Sequence, residues 1–173
     1  MNQENQEAQP AQPSHSVPRT LGLDVGDRRI GLALSDPLGY TAQPLFTLHR
    51  KNLRADLKSI ARVVRKHDVA AIVIGNPLHM SGELSPQAIR SQAFADALRA
   101  EHPNLAIHLL DERLTTTEAH HLLDRSGHAR QNAATRRERA AIVDQVAAVL
   151  ILEAFLSAGT PQLLPDPDLP RDN

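Results

Sequence analysis

One aspartate stands inside the most apolar stretch of this chain. Asp144 sits in AAIVDQVAAVLIL (140–152). A carboxylate there is buried or lines a cleft. Left unpaired in apolar surroundings it would be costly or would shift its pKa. Two structural roles compete with a functional one: an ion pair, with Arg137 or Arg139 as the partner nearby in sequence, and an acid near a helix N-terminus. Asp24 is just as oddly placed, between Leu23 and Val25 and ahead of a glycine turn. In a sheet covered on both faces, such an acid borders a site or bonds the amides of its own turn, at Gly26 or Asp27. Asp111 and Glu112 follow the apolar run 107–110. The carboxyl ends of strands in open α/β sheets are where ligands bind, although a polar strand end is the ordinary alternative. Three carboxylates on three elements around one cleft would be hard oxygen ligands, the kind that select Mg²⁺ or Mn²⁺. Such ions bind phosphates, and a pair of them activates water and stabilises a leaving oxygen in phosphodiester cleavage. Whether the three acids converge is left open by the residues alone.

The elements that would carry these acids follow from periodicity. Residues 20–25 alternate, with Leu21, Leu23 and Val25 on one face and Gly22 and Asp24 on the other. Gly26-Asp27-Arg28 reads as a tight turn, and 29–34 returns as the second strand of a hairpin. Pro37-Leu38-Gly39 marks another loop, and 45–48 is a third strand. Residues 52–66 place Leu53, Leu57, Ile60 and Val64 at helical spacing, with Arg54, Lys58, Arg62 and Arg65 on the other face. Residues 70–74 form a buried strand that ends at Gly75-Asn76-Pro77. Ser85 caps a helix over 85–100, with Pro86 at its first position. Residues 107–110 form the fifth strand. Thr115 and Glu118 make a capping box for a helix over 116–123. A last, very apolar helix spans 137–156. Three strands followed by strands alternating with helices predict an α/β domain: a mixed five-stranded sheet flanked by helices on both faces.

The chain has 173 residues, which suits one domain with tails. Residues 1–19 are too polar to offset their ordering entropy and read as a disordered tail. Residues 159–173 carry Gly159 and four prolines and read as a flexible tail, so the domain is 20–158. There is no cysteine, which excludes disulfides, thiolate nucleophiles and Cys-ligated zinc. The start, MNQENQEAQP, lacks the basic and apolar regions of a secretory signal. No run of apolar residues is long enough, uninterrupted, to span a membrane. A cytoplasmic protein without a membrane partner is expected. The net charge is only -1, yet 49–67 carries seven Lys or Arg against Asp56, and 125–139 carries five Arg against Glu138. Local basic segments of this kind fit a polyanion. The basic helix face at 50–66 reads mainly as solvated surface. The Arg-rich segment, with Arg130, Arg136 and Arg137, is the better candidate for phosphate contact, because it joins the helix after Glu112 to the helix of Asp144. Aromatic residues are 2%, too few for a base-stacking platform.

Four segments, LGLDVGDRRIGLALSDPLGYTAQPL (21–45), IVIGNPLHMSGE (72–83), LLDERLTTTEA (109–119) and DQVAAVLILEAFL (144–156), together resemble the YqgF/RuvX family. These are bacterial Holliday junction resolvase-like proteins, also described as proposed pre-16S rRNA nucleases. The resemblance implies an RNase H-like fold and a metal-dependent nuclease. It implies Asp24, Glu112 and Asp144 as the catalytic acids that hold Mg²⁺ or Mn²⁺, with Arg113 and Thr115 lining the substrate site. Nucleic acid would be the partner, as structured RNA, branched DNA or both. Symmetric resolution of a four-way junction needs two active sites and hence a homodimer, whereas a monomer suffices for an rRNA precursor. Two motifs depart from the family. GNPLHMSG (75–82) stands where GLPLNMDG is common, and Asp144-Gln145 where Asp-Ser is common. Both bear on loop contacts and substrate preference. LGLDVGDRRIG also resembles the phosphate loop of actin-like ATPases and sugar kinases. That fold needs two such domains, and about 140 ordered residues are too few. A rival of another class is a transcription or ribosome accessory protein that binds nucleic acid without cutting it. Retained carboxylates facing phosphate argue against it, since they repel unless a cation intervenes.

Overall fold

Residues 18–77, 85–111 and 136–159 are described by the computed structural model. The alternation at the start of the domain builds a hairpin. Strand β1 (Arg19–Val25) pairs antiparallel with β2 (Arg29–Ser35), with Leu21 opposite Leu34 and Asp24 opposite Gly31. The turn is closed by the Gly26 amide, which donates to Arg29 O at 2.9 Å. Strand β3 (Ala42–His49) adds antiparallel to β2. It is longer than the predicted 45–48 and runs through Pro44. It lies at the sheet edge, where a missing N–H need not break a ladder, and the register shifts beside Pro44, between Leu32 and Ala33.

Helix α1 (Leu53–His67) starts where Asn52 Oδ1 accepts from the Ala55 amide at 2.9 Å. It ends at Asp68, whose φ of 50° turns the chain into β4 (Val69–Asn76). The basic residues Arg54, Lys58, Arg62 and Arg65 are exposed, as a solvated face requires. Strand β4 runs parallel to β1, and β5 (Ala106–Asp111) runs parallel to β4. Between them lies α2 (Pro86–Glu101), whose N-cap Ser85 accepts from the Ala88 amide at 3.0 Å. The last helix, α3 (Arg136–Ser157), follows. The predicted helix over 116–123, residues 78–84 after β4, and residues 1–17 and 160–173 lie outside the described residues.

The sheet order is β3-β2-β1-β4-β5, with β2 antiparallel to its neighbours and β1, β4 and β5 parallel. This is the RNase H-like fold. One face carries Leu21, Leu23, Val25, Ile30, Ile72 and Ile74 against Ile60 of α1 and Phe94 and Leu98 of α2. The other carries Ala33 and Val73 against Ala148, Ile151, Leu152 and Phe155 of α3. Those four helix residues recur at helical spacing and form one stripe. The segment Ala140–Ser157 is long and apolar enough, by length and composition, to cross a membrane. It instead packs its stripe on β1, β2 and β3. Burying a side chain such as Leu152 is worth about 1.5–3 kcal/mol, so packing rather than helix propensity holds α3 to the sheet.

Candidate active site

The site begins with two glycines. Gly22 of β1 and Gly31 of β2 face α3, and the helix passes too close for any side chain there. A Cβ on Gly22 would stand 2.8 Å from both Ala148 O and Leu152 Cβ. A Cβ on Gly31 would overlap the Asp144 carbonyl group outright. Gly31 is also the cross-strand partner of Asp24. The close approach therefore sets Asp144 beside Asp24 at the carboxyl end of β1. Two further bonds fix the helix here. Thr47 Oγ1 of β3 donates to Ala141 O at 2.8 Å, and Gln145 Nε2 donates to Thr47 Oγ1 at 3.4 Å. The departure from Asp-Ser at 144–145 thus gives α3 a tie to the edge strand.

Asp24 is partly buried, and Gln87 Nε2 donates to its Oδ1 at 3.2 Å. Burial, first, and the neighbouring Asp144 carboxylate, second, push its pKa from 3.8 up to about 6, while the Gln87 bond pulls it down. Gln87 lies in the first turn of α2. Ser85 holds that turn against the end of β4, donating to Pro77 O at 2.6 Å. The Gly26 amide closes the turn itself, so the Asp24 carboxyl is not the brace for that amide.

Asp144 lies more than two turns inside α3, beyond the first turn to which helix-dipole stabilisation is confined. Its charge is met by Arg29 of β2, whose Nε donates to Asp144 Oδ2. The side chains of Arg137 and Arg139, the candidate partners nearby in sequence, lie outside the described residues. The partner observed comes from the strand beneath, because Arg29 shares a face of β2 with Gly31, on which Asp144 rests. The pair raises the Arg29 pKa further and leaves the guanidinium about a third exposed. Gly26, Asp27, Arg28, Arg29 and Asp144 line an open cleft at this end of the sheet.

A brace stands behind the turn. Arg50, just after β3, donates from Nη1 to Gly26 O at 2.9 Å and from Nε to Asp56 Oδ2 at 3.0 Å. Its guanidinium also lies 5.7 Å from the Phe94 ring centre. Asp56 is 1% exposed and takes a second bond from the Lys51 amide at 3.1 Å. In sequence Asp56 is merely the one acid of a basic stretch; its burial makes it structural.

The structure thus brings together Asp24 and Asp144. Asp111 ends β5, opposite Asn76 at the end of β4. Glu112, Arg113, Thr115 and Arg130 lie outside the described residues, as do the side chains of Arg136 and Arg137 in the first turn of α3. Among the described residues no three His, Cys, Asp or Glu converge as a metal cluster. The two acids nevertheless suit a hard divalent cation. Both offer oxygen donors, and burial and mutual repulsion raise the Asp24 pKa, a cost that an added positive charge would relieve. Gln87 and Arg29 were not singled out from sequence. Strand parity places Arg29 on the face of Gly31, but nothing local to either residue names its partner.

Residues 18–158 match the family model RuvX, described as Holliday junction resolvase. A relative from Moorella thermoacetica, named as a proposed pre-16S rRNA nuclease, is 47% identical over 138 residues, 80% of this chain and 94% of its own. One from Koribacter versatilis with the same name is 44% identical over 145 residues, 84% of this chain and 90% of its own. Among solved structures, T. thermophilus RuvC in complex with Holliday junction substrate covers 83% of this chain and 98% of its own, at 16% identity and a TM-score of 0.48. The fowlpox virus Holliday junction resolvase covers 81% of this chain and 99% of its own, at 9% identity and a TM-score of 0.49. With a family model matched across the domain and relatives above 40% identity over most of their length, this chain belongs to the RuvX family.

Proposed function

We propose that this protein is a nuclease that hydrolyses phosphodiester bonds with a divalent cation, Mg²⁺ or Mn²⁺, held by Asp24, Glu112 and Asp144. One observation carries the reading: Gly31 lets α3 set Asp144 beside the partly buried Asp24 at the carboxyl end of the parallel strands. When bound, the cation would supply charge neutralisation at the phosphate and acidify water. The residues of the chain do the rest. Asp24 must be ionised to serve, and with a pKa of about 6 it is so at neutral pH. Gln87 fixes its carboxyl plane. Arg113, Thr115, Arg130, Arg136 and Arg137 are assigned to the substrate path, as charge complements to phosphate.

The substrate favoured is a structured RNA, a pre-16S rRNA, by analogy with the names of the relatives. A four-way DNA junction is the second substrate, by analogy with the family description. A monomer suits the first and a homodimer the second. We place the protein in the cytoplasm, with the nuclease domain running from β1, which opens at Arg19, to α3, which ends at Ser157.

The test is side-by-side cleavage of a structured rRNA precursor and a four-way DNA junction in Mg²⁺, Mn²⁺ or EDTA, with wild type and Asp24→Asn. Cation-dependent cutting of the RNA, lost in the variant, is expected. Cutting of the junction alone would select the second substrate. No cutting of either, with binding intact in EDTA, would replace the nuclease by a non-cleaving accessory protein.

A further inference from the structure

Arg29 occupies one oxygen of a carboxylate that the proposed function assigns to a cation. Its Nε donates to Asp144 Oδ2 across 115 positions of sequence. A lone pair that accepts from a guanidinium is not free for a hard cation, and the two positive charges would repel at such range. Room to move is present. The Arg29 side chain is 31% exposed and stands in the open cleft with Gly26, Asp27, Arg28 and Asp144. Arg28, next to it, is exposed at the same cleft. A guanidinium released from Asp144 would stand there with Arg28, offering planar donors that match phosphate oxygens.

We infer that Arg29 is a placeholder for the cation and a ligand for the substrate: it neutralises Asp144 in the metal-free protein, and on cation binding it moves to the cleft wall to join Arg28 in holding a nucleic-acid phosphate. The inference rests on the assignment of the cation to Asp24 and Asp144. It gives the protein an ordered sequence of events, because the phosphate-binding arginine becomes available only after the cation arrives.

The test is Mn²⁺ binding by calorimetry to wild type and Arg29→Gln, without nucleic acid. Removing an internal competitor should tighten Mn²⁺ binding by about 2- to 5-fold, the scale of a partly exposed ion pair. Equal or weaker binding in the variant would overturn the inference and make Arg29 a permanent support for Asp144. Absence of Mn²⁺ binding by the wild type would instead remove the metal site itself. The second half is read from the salt dependence of binding to a nucleic acid. On going from EDTA to Ca²⁺ the wild-type slope should steepen relative to that of Arg29→Gln by roughly the 0.7–0.9 of one phosphate contact. An equal change in wild type and variant would overturn the phosphate role. Should the Gln variant misfold, the Arg29 Nε–H resonance of the wild type, assigned by its loss in Arg29→Lys, reports directly. It should shift on Mg²⁺ saturation, and an unmoved resonance would overturn the release.

Discussion

Gly31 and Asp144 touch through their main chains: the α-carbon of the strand residue lies under the carbonyl group of the helix residue, with no space for a methyl group between them. Asp24 is the cross-strand neighbour of Gly31. The smallest residue in the chain is therefore the spacer that sets two carboxylates side by side, and Arg29 reaches one of them from the same strand face.

Gly31→Ala should be among the most damaging single-methyl changes in this protein. The added carbon meets main-chain atoms, which cannot rotate away, so α3 must lift from β2. A loss of about 3 kcal/mol or more is expected. Thermal unfolding should fall by roughly 6–12 °C. Cleavage should fall further than folding accounts for, because Asp144 leaves Asp24. A variant with wild-type melting and activity would show that α3 does not need this approach.

Asp24→Asn should stabilise the metal-free protein, and the gain should depend on pH. The folded pKa of about 6 lies above the ordinary 3.8, so the fold favours the protonated acid. Its contribution to stability is present below the ordinary value and is lost as pH rises through about 6. Asparagine avoids that loss. The variant should exceed wild type by on the order of 1–3 kcal/mol above about pH 7 and match it below about pH 4. Urea unfolding at both pH values, in EDTA, reads the difference. A variant less stable than wild type at high pH would contradict the raised pKa.

Gln87→Leu should move the acid limb of the activity profile. The Gln87 hydrogen bond lowers the Asp24 pKa, so its loss raises that pKa further. At about pH 6 activity should fall several-fold, while well above it activity should stay within roughly twofold of wild type. The pH dependence of kcat/KM decides. A uniform loss at every pH would mean that Gln87 orients the carboxyl without tuning its charge.

Asp56→Ala should destabilise the fold by about 3 kcal/mol, the scale of a broken buried ion pair. It strands the Arg50 guanidinium and leaves the Lys51 amide without its acceptor. Because Arg50 also holds Gly26 O, the hairpin turn behind Asp24 should loosen with it. Chemical unfolding measures the first effect, and faster amide hydrogen exchange at Gly26 measures the second.

Wherever a feature depends on neighbours in the chain, it could be read from the residues themselves. Alternation at 20–25 placed Leu21, Leu23 and Val25 together and Asp24 on the opposite face. Asn52 and Ser85 began their helices as cap chemistry demands. Asp24 and Asp144 stood out because each is a charge in an apolar run, a local property. The true length of β3 is not local in this sense, since a proline argues against a strand until its edge position is known.

What the chain order left undetermined is which faces meet. The pairing of β1 with β4, the seating of Asp144 on Gly31, the Arg29–Asp144 ion pair and the burial of Asp56 all join residues distant along the chain or hidden by packing. Strand parity tells that Gly31, Arg29 and Ala33 share a face, but not that a helix more than a hundred residues later covers it. Periodicity is set by backbone geometry within a few residues. Proximity between elements is set by how whole faces pack, and at this site that packing turned an isolated acid in a helix into one half of a pair.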